Sequence, residues 1–107
     1  MSLVEITPAS HDVRIDLKYA TRDNFTGKAV YRKDARCYLH ADAAELLKKS
    51  VELAKTQGYR FTIYDAFRPT EAQWKLWEHT PDPHFLADPR KGSPHSRGAA
   101  VDLVLCH

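Results

Sequence analysis

Tyr59-Arg60-Phe61-Thr62-Ile63-Tyr64-Asp65-Ala66-Phe67-Arg68-Pro69 holds the strand-to-helix junction from which the fold is read. Tyr59, Phe61 and Ile63 alternate with Arg60, Thr62 and Tyr64, the period-two pattern of a strand with one apolar face. The pattern stops at Asp65 to Pro69. Thr70 is predicted to cap a short helix carrying Trp74 and Trp77, with Gln73 at the capping-box position.

Upstream, Asp42 is predicted to cap a longer helix, with Glu45 completing a capping box. Leu46, Leu47, Val51 and Ala54 form its apolar face, and Gly58 fits just past its end. Earlier still, Val13, Ile15 and Leu17 alternate with Arg14, Asp16 and Lys18, which predicts another strand. A polar loop from Tyr19 to Gly27 follows it and carries the aromatics Tyr19 and Phe25.

Downstream, Thr80 to Pro94 contains Pro81, Pro83, Pro89 and Pro94 and reads as a long loop, a feature that is usually functional or mobile. Ala99 to Leu105 is predicted as a third strand, with Ala99, Val101, Leu103 and Leu105 on one face. The order is strand, helix, strand, helix, loop, strand. It predicts one α+β domain over residues 1–107, with two helices on a small mixed or antiparallel sheet.

The 107 residues carry a formal net charge of +2, and their basic side chains are scattered. That balance argues against nucleic acid or a membrane surface as partner. No apolar stretch approaches the roughly 20 residues of a membrane span. The first residues lack the basic and apolar regions of a signal peptide. Cys37 and Cys106 form no Cys-x-x-Cys and are expected to be free thiols in a reducing cytoplasm.

Ser93-Pro94-His95-Ser96-Arg97-Gly98-Ala99-Ala100-Val101-Asp102 carries the chemistry. It joins an imidazole nitrogen and a carboxylate oxygen, both suited to zinc, through a glycine turn. Asp102 is expected mid-strand between Ala100 and Val104, where burial is costly unless a cation compensates it. Arg68 offers a rigid fork of donors with a permanent charge, suited to an oxyanion.

Three motifs in one order now stand together. They are Lys18-Tyr19-Ala20-Thr21 with Asp23 to Gly27, Tyr64 to Pro69, and Ser93 to Asp102. In these the chain resembles the zinc D-alanyl-D-alanine dipeptidases, the VanX-like D,D-dipeptidases of a wider group with a hedgehog-like fold. The resemblance implies hydrolysis of D-Ala-D-Ala to D-alanine in cell wall metabolism, with one zinc ion. It implies His95 and Asp102 as metal ligands and Arg68 as transition-state stabiliser. It points to Tyr19 and Ser93 as pocket residues. Asp65 is then a buried helper, a contact to the substrate ammonium group, or a turn cap.

The family's third ligand, a histidine, and its general base, a glutamate, stand in a Glu-x-x-His motif, which these 107 residues lack. The expectation is an N-terminal portion of the fold, truncated and poor in catalysis alone, with a complementing chain or a homo-oligomer as candidate partners. His107 is a poor substitute ligand. His79 and His84 read as loop residues, and His11 and His40 have no metal partner at useful spacing. Alternatives are a D,D- or L,D-carboxypeptidase acting on peptidoglycan and a non-catalytic remnant or subunit.

Overall fold

The computed structural model describes residues 2–106. Elements follow in the order β1 (Leu3–Ile6), α1 (Pro8–His11), β2 (Arg14–Ile15), β3 (Cys37–His40), α2 (Ala41–Thr56), β4 (Arg60–Asp65), α3 (Thr70–His79) and β5 (Asp102–Cys106). A single 3-10 turn at Lys18–Ala20 follows β2. His107, weighed as a substitute ligand, lies outside the described residues.

The class is α+β, as expected, but the strands form two sheets. β1 and β3 pair antiparallel, with Leu3 opposite His40 and Ile6 opposite Cys37. The second sheet has the order β2-β4-β5, with β2 parallel and β5 antiparallel to β4. β1, β3 and the one-turn helix α1 are additions to the elements read from sequence. Each is too short to show a clear period; α1 is defined by a capping box between Thr7 and Ser10 with Pro8 in its first turn.

Ile6, Val13, Cys37, Leu39, Ala44, Leu47, Val51, Phe61, Ile63 and Ala66 form the core, with α2 against both sheets. Leu46, assigned to the buried face of α2, is 63% exposed, because the covered face runs through Ala44, Leu47 and Val51. Asp42 is not the cap of α2. β3 runs straight into the helix, so the cap falls to His40, whose Nδ1 accepts the Asp42 amide at 3.2 Å. Gly58 does follow the end of α2, with φ +80°.

α3 likewise differs at its start. Thr70 is its first residue, Pro69 holds the cap position without a side-chain bond, and Gln73 turns inward. β5 begins at Asp102, three residues later than Ala99. The last strand finds its partner in β4. Between Ile63 and Asp65 the ladder carries an extra residue, so that Asp65 and not Tyr64 stands opposite Asp102. A bulge re-aims side chains at a strand end, and here it sets two carboxylates side by side. No described helix is long and apolar enough to cross a membrane.

Candidate metal centre

The junction after β4 and the turn around His95 are bonded reciprocally. His95 Nδ1 lies 2.8 Å from the Ala66 carbonyl oxygen, and the Arg68 amide donates to the His95 carbonyl at 3.0 Å. A carbonyl can only accept, so Nδ1 carries the proton and the Nε2 lone pair is left for a ligand. The Ser93 hydroxyl accepts the His95 amide at 3.2 Å and is itself buried.

Gly98 closes this turn at φ +71° and does more than bend the chain. Its carbonyl accepts the His40 amide at 2.9 Å, and a Cβ there would stand 2.8 Å from the His40 nitrogen. Glycine is therefore what lets the turn dock on the β1–β3 sheet.

His95 Nε2 and Asp102 Oδ2 are 3.5 Å apart. A tetrahedral ion with two ligand atoms at about 2.0–2.2 Å separates them by roughly 3.3–3.6 Å, so this spacing fits a metal. The His95 side chain is 15% exposed and that of Asp102 is 58% exposed. Asp102 is thus not the mid-strand buried acid expected; it opens β5 at the rim. Burial works against the imidazolium of His95, but hydrogen bonds to Asp102 and the Ala66 carbonyl outweigh it and raise the pKa. The His95 bond in turn lowers that of Asp102.

Asp65 completes a cluster whose candidate ligand atoms lie within 4.8 Å of one another. Its oxygens are already engaged. Oδ1 accepts the Tyr31 hydroxyl at 2.5 Å, and Oδ2 accepts Arg68 Nε at 3.2 Å and Nη2 at 2.6 Å. Its approach to His95 is 3.8 Å, on the Nδ1 side. The donor pair facing outward is therefore His95 and Asp102, with Asp65 as the anchor of Arg68.

Arg68 is 4% exposed, and Asp65 is 1% exposed. Burial opposes the guanidinium charge, but the Asp65 carboxylate more than offsets it and keeps Arg68 ionised. Tyr19 covers the fork, with its ring centroid 5.2 Å from the guanidinium carbon. Tyr19 also meets Tyr31 and Phe25 edge-on, and Phe25 meets His79 and Phe85. His79 thus joins an aromatic cluster, while the His84 amide accompanies Asp82 in a turn.

The fold brings together Tyr19, Asp65, Arg68, Ser93, His95 and Asp102. Sequence reasoning missed Tyr31 and assigned Gln73 to a cap. Tyr31 stands in an irregular segment with no periodic signal. For Gln73 there was a signal: it shares a helical face with Ala72 and Leu76, where an apolar side chain is the norm.

A sequence profile described as Peptidase_M15, D-ala-D-ala dipeptidase, matches residues 1–107. The chain is similar to the D-alanyl-D-alanine dipeptidase of Escherichia coli strain K12, 50% identical over 103 residues that cover 96% of this chain and 53% of that protein. It is also similar to the D-alanyl-D-alanine dipeptidase of Enterococcus faecium, 38% identical over 114 residues, covering 89% of this chain and 56% of that one. The chain spans about half the length of the curated relatives it matches. On this match and these identities, the chain belongs to the Peptidase_M15 family of D-ala-D-ala dipeptidases.

Proposed function

We propose that this chain forms part of the active site of a zinc metallopeptidase that hydrolyses D-Ala-D-Ala to D-alanine. The observation that carries this reading is the His95–Asp102 pair, 3.5 Å apart, beside the buried Arg68 fork. The names of the relatives support the choice of substrate.

In this reading His95 and Asp102 hold the zinc, which when bound supplies a Lewis acid and an acidified water. His95 presents Nε2 because Ala66 fixes its other nitrogen. Arg68 brings a permanent positive charge on a fixed fork. Asp65 and Gln73 occupy three of its five N–H groups, and in this reading the remainder of the fork serves an oxyanion. Tyr19, Asp65 and Ser93 belong to the substrate pocket. Tyr19 forms its wall, while Asp65 and Ser93 fix Arg68 and the His95 turn.

A catalytic zinc takes three protein ligands and needs a proton acceptor nearby. We assign the third ligand and that acceptor to groups beyond the described residues, on further chain or on a complementing chain of different sequence. The free dipeptide as substrate follows the names of the relatives, and a reducing compartment such as the cytoplasm agrees with two unbridged cysteines.

The test is zinc binding by calorimetry and D-alanine release, for this chain and for His95→Ala and Asp102→Ala. One weak zinc site, lost in both variants, with little turnover by the chain alone, is the expected result. Tight zinc binding that survives both substitutions would refute the assignment.

A further inference from the structure

Gln73 is 1% exposed, and both ends of its carboxamide are used. Oε1 accepts Arg68 Nη1–H at 2.6 Å, and Nε2 donates to the Ala87 carbonyl at 2.7 Å. A guanidinium only donates and a carbonyl only accepts, so the amide orientation follows from chemistry. Gln73 therefore ties Arg68 to the middle of the 80–94 loop, whose end carries Ser93 and leads directly to His95.

Asp65 alone does not fix the aim of Arg68. Tyr31 takes Oδ1, so Nε and Nη2 of Arg68 both converge on the single atom Oδ2. A contact through one oxygen leaves the guanidinium free to pivot about it, unlike a fork held by two oxygens. The Gln73 bond at Nη1, on the far side of the fork, removes that pivot.

We propose that Gln73 is a positioning residue that couples docking of the 80–94 loop to the orientation of Arg68. The inference rests on the reading of Arg68 as the oxyanion-stabilising group. In this arrangement the fork is aimed only when the loop lies down, so the loop that delivers His95 also sets the arginine.

The coupling is measurable without turnover, on the intact chain, by hydrogen exchange of amides 82–92 and by exchange of the Arg68 side-chain N–H signals in NMR spectra. Gln73→Met, similar in volume, loses both bonds. It is expected to speed exchange at both places by at least about tenfold, the scale of one hydrogen bond to a charged group. Gln73→Glu keeps an acceptor for Arg68 but has no N–H for Ala87, so only the loop is expected to loosen strongly. Pro89→Gly, which loosens the loop elsewhere, is expected to speed Arg68 exchange in the parent chain and to add nothing in Gln73→Met.

Arg68 signals unmoved by Gln73→Met, or equal Pro89→Gly effects in both backgrounds, would overturn the coupling. In a catalytically competent assembly, Gln73→Met is expected to lower kcat with KM little changed. Intact exchange coupling with kcat unaffected would instead count against the role given to Arg68.

Discussion

His95 donates its Nδ1–H to the Ala66 main-chain carbonyl across 2.8 Å, and this bond leaves Nε2 as the nitrogen open to a ligand. The carbonyl belongs to the junction after β4, so the orientation of the imidazole ring is set by the backbone and not by another side chain. The neutral imidazole is expected to be the Nδ1–H tautomer in 15N NMR spectra, with zinc perturbing Nε2. A predominant Nε2–H form would contradict this. His95→Ala is expected to weaken zinc binding by more than the roughly 10–100-fold typical of losing an outer-shell partner.

Asp65 and Arg68 form a buried ion pair, and its value depends on both members being present. Asp65→Ala leaves a guanidinium in the interior without its counter-charge, with only neutral neighbours such as Gln73 and the Tyr19 ring beside it. The expected loss is about 3–5 kcal/mol, measured by urea unfolding. The double variant Asp65→Ala with Arg68→Met removes charge and counter-charge together and is expected to be less destabilised than Asp65→Ala. Additive losses would show that the two side chains act independently.

Much of this arrangement was legible in the chain because its signals are local. The alternation through Ile63, the spacing of Leu47 and Val51, and the glycine between His95 and Asp102 each reflect one element's own geometry. What escaped depends on contacts distant in sequence. Tyr31 reaches Asp65 across 34 positions. The bulge that sets Asp65 opposite Asp102 arises from pairing β4 with β5, and neither strand signals it alone. The cap of α2 was misread because β3 leads into it without a linker, leaving the role to His40.

Gly98 meets two demands at once, and a comparison with Gly58 separates them. Both have positive φ, but a Cβ at Gly58 meets nothing within 4 Å, whereas at Gly98 it meets the His40 backbone at 2.8 Å. Gly58→Ala is expected to cost about 1–2 kcal/mol, from the left-handed conformation alone. Gly98→Ala carries that strain and also pushes the turn off the β1–β3 sheet. Its unfolding free energy is expected to fall further, and its zinc affinity with it. Equal stability losses in the two variants would show that the close approach to His40 carries no energetic weight.

Cys37 gives the fold an alkaline limit. Burial, aided by the charges of Asp65 and Glu5, pushes its thiol from 9.0 up to about 12. The folded chain thus holds this proton more tightly than the unfolded chain does. The stabilisation is complete below about pH 9 and is lost as pH rises towards about 12. Three units correspond to at most about 4 kcal/mol. Burial also raises the Tyr31 hydroxyl, which acts in the same direction. Urea unfolding across this range is expected to show a steep loss that Cys37→Ala makes shallower, although the variant is less stable at neutral pH because a small cavity remains. At pH 8 an alkylating reagent is expected to modify Cys106, partly exposed at the end of β5, well before buried Cys37. Equal labelling rates, or identical alkaline slopes with and without Cys37, would remove the thiol from this account.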